Sequence, residues 1–212
     1  MAEGADLDRP LDGRAARRER NIDAVLDVVV ELLTEGELFP SIEQVSRRSG
    51  ISVRSIYRYF AEPAELHDAA VKRHRKRAEP LAHLPSIGEG PLSKRIDDFV
   101  VMRLRLYEGV GATYRATVHN AAGSPRLRER LTRLRAELRQ QFDRQFAPEL
   151  AGRKRAERDA IGAAGDVLTQ LDTIDLLRRH RQLSVSETTA TLRAGLLGVL
   201  SPARIAGDTG KM

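Results

Sequence analysis

Apolar residues along this chain return at intervals of three and four, and almost nowhere at intervals of two. Ile22, Val25, Leu26, Val29, Leu32 and Leu33 form one such stripe, which predicts a long helix from Arg14 to a stop at Gly36. After Phe39-Pro40, Ser41 with Gln44 three residues on has the spacing of a capping box and predicts a short helix from Ile42 to about Arg48, with Val45 in the core. Gly50 stands where a helix end favours a left-handed residue, and Ser52 predicts the cap of a second short helix starting at Val53. Within SGISVRSIYRYF, residues 49–60, a strand would put Arg54, Ile56, Arg58 and Phe60 on one face and mix charge with core. A helix instead gathers Val53, Ile56 and Phe60, turns Arg54, Ser55 and Arg58 away, and leaves Tyr57 and Tyr59 at the flanks.

Pro63 restarts a helix carrying Leu66, Ala69 and Ala70, followed by the basic run 72–77, which reads as a solvated stretch. The segment 80–92, with Pro80, Pro85, Gly88, Gly90 and Pro91, reads as a boundary. Ile96, Phe99, Val100, Met102, Leu104 and Tyr107 then predict a helix from Leu92 to about His119, kinked or divided in two at Gly109-Val110-Gly111. Pro125 opens another with Leu127, Leu131, Leu134, Leu138, Phe142 and Phe146, and a third runs from about Arg153 through Ile161, Val167, Leu171, Ile174 and Leu177. Ser184 with Glu187 forms a second capping-box pattern ahead of Leu192, Leu196, Val199 and Leu200. No hairpin signal interrupts the series, so the expected fold class is all-α. The expected organisation is a flexible tail over 1–13, a three-helix domain with a helix-turn-helix over 14–79, a helical bundle over 80–203 and a second tail over 204–212.

Composition narrows the function classes. The chain of 212 residues has no Cys, which removes disulfides, thiolate catalysis and Cys-ligated metals and fits a reducing compartment. Its N-terminus, MAEGADLDRPLDGR, lacks the apolar stretch of a signal peptide, and no apolar run approaches the ~20 residues that span a bilayer. A soluble cytoplasmic protein without a membrane partner is expected. Lys and Arg number 36 against 30 Asp and Glu, a net charge of +6 that favours a polyanionic partner. Over residues 41–60 the imbalance sharpens: Arg47, Arg48, Arg54 and Arg58 stand against Glu43 alone, a local net of +3.

Two short helices joined by a Gly-containing turn, the second displaying Arg, Ser and Tyr outward, have the chemistry a helix needs in the major groove of double-stranded DNA. Arg54 and Arg58 can fork to guanine edges or phosphates; Ser52 and Ser55 are short donors; the hydroxyls of Tyr57 and Tyr59 reach phosphate oxygens. These residues also carry a resemblance. Residues 14–77, and SGISVRSIYRYF with Leu66 six residues after Phe60 in particular, resemble the N-terminal domain of TetR-family transcriptional regulators. The resemblance implies a DNA-binding head and a variable helical body that binds a small-molecule effector. It also implies a homodimer formed by the last two long helices and a near-palindromic operator as partner. Matched position by position, Ser41 and Ser52 correspond to phosphate-contacting helix starts, Val53 and Arg54 to base-facing positions, and Tyr57, Arg58 and Tyr59 to groove and backbone contacts. The family usually has Lys shortly after the Phe, where this chain has Pro63. Arg14, Arg17 and Arg18, ahead of the first stripe, are expected to supply backbone or minor-groove contacts in its place.

In the body, Tyr107, Tyr114, His119 and Asn120 gather near the Gly interruption, with Met102 on the same helix, and Asp166, Gln170 and Asp172 lie on a later one. Met102, Tyr107, Tyr114, His119, Asp166 and Gln170 are the candidate effector-binding residues, a few polar groups in an otherwise apolar lining. Catalysis has little to stand on. No Glu or Asp stands three residues before any His, as a di-iron bundle requires, and neither a zinc-type His-Glu-x-x-His nor a phosphate loop occurs. No metal and no cofactor is expected. Two alternatives remain open at this level: a DNA-binding regulator answering to a protein partner instead of a small molecule, and an all-α enzyme.

Overall fold

The apolar stripe of the first helix is buried along its length in the computed structural model, which describes residues 9–201, with side chains from residue 13 onward. Helix α1 (Arg9–Thr34) turns Val25, Leu26, Val29, Leu32 and Leu33 inward, and the chain leaves it through Gly36 at φ 106°. Residues 9–13, expected within the flexible tail, are helical; Pro10 falls in the first turn, where its missing N–H costs no hydrogen bond. Residues 1–8 and the tail expected over 204–212 lie outside the described residues.

Helices α2 (Ile42–Ser49), α3 (Val53–Tyr59) and α4 (Pro63–Ala78) follow in quick succession. Their apolar residues Ile42, Val45, Ile56, Phe60, Leu66 and Ala70 meet the α1 stripe in a single core. The basic run at the end of α4 is not uniformly solvated. Arg73 donates to the carbonyl of Asp23 at 2.8 Å and pairs with Asp27 at 3.0 Å, and Arg77 reaches Asp27 at 2.7 Å, so two of its cations tie α4 to α1.

Contacts divide the chain into two compact units. The first holds the residues up to Glu79 together with Ala112–Arg128, and the second holds Pro80–Gly111 and the residues from Glu129 on. Helix α5 (Leu92–Asn120) contributes to both. The segment 112–128, expected with the second domain, groups with the first unit for reasons visible in its contacts. Ala116 is buried in the α1–α4 core, Asn120 Nδ2 donates to the Leu38 carbonyl at 2.9 Å, and Arg126 pairs with Asp68 at 2.6 Å.

In the second unit, α5 passes through Gly109 without a break, where a kink or a division was expected. Gly109 serves packing instead: a Cβ there would lie 2.3 Å from Leu81 Cδ1, so glycine lets the Leu81 side chain lie directly against the helix backbone and any larger residue would make it move. Helices α6 (Pro125–Gln145), α7 (Ala147–Leu150), α8 (Arg155–Thr169), α9 (Leu171–Asp175) and α10 (Val185–Leu200) are the remaining described α-helices, with a π-helical turn over Leu176–His180 and short 3-10 turns over Glu79–Ala82 and Ala121–Gly123. Phe99, Phe142 and Phe146 form its aromatic centre, with ring centroids 4.9–6.1 Å apart. The helix expected from Arg153 through Leu177 is divided at Gln170, which is extended at φ −68° and ψ 151°. Thr169 Oγ1 donates to the Gly165 carbonyl, and Thr173 Oγ1 to the Val167 carbonyl across the division. The Thr173 bond offers the Val167 carbonyl a partner other than the helical ladder. The capping box at α10 forms as its spacing predicts: Glu187 N–H donates to Ser184 Oγ at 3.2 Å, and Ser184 N–H to Glu187 at 2.8 Å. No strand occurs among the described residues, and no described helix is long and apolar enough to cross a membrane.

Candidate nucleic-acid interface

The corner formed by α2 and α3 is fixed by local chemistry at each of its joints. Ser41 caps α2, with Gln44 N–H donating to Ser41 Oγ at 3.2 Å and Ser41 N–H returning to Gln44 Oε1 at 2.6 Å. Gly50 ends α2 at φ 70°, a left-handed conformation that a side chain would strain, and its N–H bonds the Ser46 carbonyl. Two residues later Ser52 caps α3, accepting from Ser55 N–H at 3.3 Å. Seven residues are too few to hold a helix alone, so α3 depends on what it buries. Ile56 is fully buried and Phe60 nearly so, against α1 and α4.

The opposite side of α3 is open. Ser52, Arg54 and Arg58 are exposed, Tyr57 is 47% exposed and Ser55 is half-buried beside them, whereas Val53, expected as a base-facing residue, packs partly against the core because it shares the face of Ile56. Ser41 is half-buried at the head of α2. Arg14 and Arg18 are exposed on the first turns of α1. Thus the sequence-predicted candidates of this region all fall in the first unit, and its outward groups are guanidiniums and hydroxyls. Arg48, by contrast, is engaged: it bonds Glu35 at 2.5 and 2.8 Å, and that bond with the carboxylate charge holds its guanidinium above the ordinary value.

Tyr59 differs from Tyr57 in being half-buried. Its hydroxyl accepts from Asn21 Nδ2 at 3.3 Å and from Arg58 Nη2 at 3.4 Å. The Asn21 bond first, and the Arg58 bond after it, hold the phenol below its ordinary pKa. Sequence reasoning did not single out Asn21. It sits 38 positions from its partner and has no periodic signature.

The six candidate effector residues are divided between the units. Tyr114 and His119 belong to the first, the one buried and the other exposed. Met102, Tyr107, Asp166 and Gln170 belong to the second. Met102 is fully buried, Tyr107 is buried and donates its hydroxyl to Asp175 at 2.8 Å, and Gln170 Nε2 donates to Asp166 at 2.6 Å. Burial raises the Asp166 carboxyl above its ordinary value, against that bond and the nearby Arg139 and Arg103. A cleft of about 360 Å³ in the second unit, lined by Arg139, Asp143, Leu150, Arg158 and Asp159 among others, contains none of the six.

The largest fully buried side chain of the second unit is one that sequence reasoning passed over. Arg103 is fully buried, donates to Gln141 Oε1 at 2.7 Å and to the Leu138 carbonyl at 2.6 Å, and lies over the Phe99 ring at 4.6 Å. Burial pushes its guanidinium down to about 9. The signal was present: Ile96, Phe99, Val100, Arg103 and Tyr107 share helical spacing, which puts Arg103 on the inward face. Among the described residues no group of His, Asp or Glu is arranged to hold a metal ion.

No family profile and no curated protein sequence matches the chain. Solved structures do. A TetR-family transcriptional regulator from Streptomyces coelicolor superposes with a TM-score of 0.66 at 17% identity, covering 85% of this chain and 80% of that one. A transcriptional regulator of the TerR/AcrR family from Aquifex aeolicus VF5 superposes with a TM-score of 0.61 at 16% identity, covering 84% of this chain and 99% of that one. The chain therefore has the all-α fold of TetR-family regulators, a helix-turn-helix domain followed by a helical domain.

Proposed function

We propose that this chain is a TetR-type transcriptional repressor that binds a near-palindromic operator as a homodimer and is released by a small-molecule effector. One observation carries the reading. A rigid α2–α3 corner, anchored through Ile56 and Phe60, presents Arg54, Tyr57 and Arg58 outward with Ser52 at the helix start. Guanidiniums on such a helix suit guanine edges and phosphates, while hydroxyls suit phosphates. The fold shared with known regulators supports the same reading.

Dimerisation is assigned to α8 and α10, which pack on one another and leave Ala160, Ala164, Val167, Ala190, Ala194 and Gly198 exposed. Val167 is 63% exposed, an apolar surface that a second copy would cover. The effector acts by binding the DNA-incompetent state better than the competent one, and DNA affinity falls by that difference. The test uses duplex DNA from upstream of the chain's own gene. Arg54→Ala and Tyr57→Phe weaken binding at fixed salt and leave the oligomeric state unchanged; unaltered affinity in both variants would remove α3 from the interface.

A further inference from the structure

Around Tyr59 the structure brings together groups from two helices that the sequence keeps apart. Its hydroxyl accepts from Asn21 of α1 and from Arg58 of α3. Its ring lies beneath two guanidiniums, with Arg58 Cζ 5.4 Å and Arg18 Cζ 5.8 Å from the ring centroid. Two like charges converge on one aromatic ring, whose electron-rich face offsets part of their repulsion. Neither guanidinium has a carboxylate partner among the described residues, so the pair keeps its charge for an outside anion.

We propose that Tyr59 is a positioning residue and not itself a phosphate contact: it gathers Arg18 and Arg58 into one cationic pair for the DNA backbone, with Asn21 orienting the phenol. The inference rests on the DNA-binding reading above and refines it. A free arginine has many rotamers, and much of that freedom is lost on gripping a phosphate. Holding two arginines in place beforehand removes part of that cost from binding. The Asn21 amide has no other described partner, which fits a role in setting the phenol's direction.

Salt dependence separates the two roles. A neutral phenol that touches a phosphate displaces no counterion, whereas each guanidinium that neutralises one adds about 0.9 to the slope of log affinity against log salt. The experiment measures fluorescence anisotropy of a mixed-sequence duplex of about 30 base pairs, a probe that reads backbone contacts, between roughly 50 and 200 mM salt. Wild type is compared with Tyr59→Phe, Tyr59→Leu, Asn21→Ala and Arg18→Ala/Arg58→Ala, each checked for an intact melting transition. Tyr59→Leu is expected to lower affinity about fivefold at the middle of the range and to lower the slope by about one unit. Tyr59→Phe, which keeps the ring, shows a smaller loss, as does Asn21→Ala. In the Arg18→Ala/Arg58→Ala background, Tyr59→Leu has no further effect.

An affinity loss in Tyr59→Leu with the wild-type slope, or an equal loss in the doubly substituted background, would overturn the positioning role while leaving the DNA-binding reading intact. Failure of wild type to bind the duplex at the lowest salt overturns both.

Discussion

Asn120 Nδ2, in the last turn of α5, donates to the Leu38 carbonyl in the loop before α2 at 2.9 Å and to the Ala116 carbonyl at 2.8 Å. One amide thus fastens the end of a long helix to the segment from which the helix-turn-helix begins. Asn120→Ala leaves the Leu38 carbonyl without this donor and is expected to cost about 1 kcal/mol, a fall of roughly 2–4 °C in melting temperature. Amide hydrogen exchange over residues 35–41 should quicken in the variant; wild-type protection there would mean the bond does not hold the loop.

Arg103 makes a different kind of prediction, because its buried charge is hydrogen-bonded only to neutral groups, its Nε meets none, and the Asp166 carboxylate nearby offsets its burial only in part. A buried charge with no directly bonded counter-charge costs more in lost hydration than neutral hydrogen bonds return. Arg103→Met keeps most of the volume and removes the charge, so it should be at least as stable as wild type. Arg103→Ala opens a cavity and should cost about 2–4 kcal/mol. Denaturant unfolding checks both, and an equal loss in the two variants would assign the stabilisation to the guanidinium.

His67 supplies a pH dependence. Its Nε2–H donates to the Pro40 carbonyl at 2.7 Å and its ring stands edge-on to Phe39 at 4.2 Å. Burial pushes the imidazole below its ordinary value of 6.5, and the Pro40 bond opposes that only in part. In the window below 6.5 the unfolded chain takes up a proton that the folded chain resists. Stability is therefore unaffected by this group above the window and declines as pH falls through it. His67→Gln keeps a donor without titrating. The melting difference between wild type and His67→Gln should move against wild type between pH 7.5 and 5, and a constant difference would remove His67 as the cause.

Val167 tests the assembly. Val167→Arg on the exposed face of α8 should convert a dimer to a monomer in size-exclusion chromatography with light scattering. The loss of folding stability should stay within about 0.5 kcal/mol, since the position is solvent-exposed in the single chain. A variant that stays dimeric would move the interface elsewhere.

The corner was legible from sequence because each of its determinants is local. Ser41 and Gln44 stand three apart, Gly50 follows α2 directly, Ser52 precedes α3, and Ile56 and Phe60 repeat at helical spacing. What escaped was set by partners remote in sequence. Gly109 reads as a breaker until Leu81 is seen beside it, and Gly165 reads as neutral until Phe142 is seen 2.1 Å from where its Cβ would be. The division at Gln170 is bridged by the bond from the Thr173 hydroxyl to the Val167 carbonyl, a pairing that spacing does not encode. Likewise the outward residues of α3 were readable from its face, while the joining of Tyr59 to Asn21 required the packing of α3 on α1.

On α3 the residues that anchor and the residues that face outward do not overlap. Ile56 and Phe60 carry the fold from within, and Arg54, Tyr57 and Arg58 carry little of it. On the proposed DNA-binding reading, drift at Arg54 and Tyr57 is nearly free of folding penalty, so descendants of this chain would acquire new target preferences by point substitution while the scaffold is inherited unchanged.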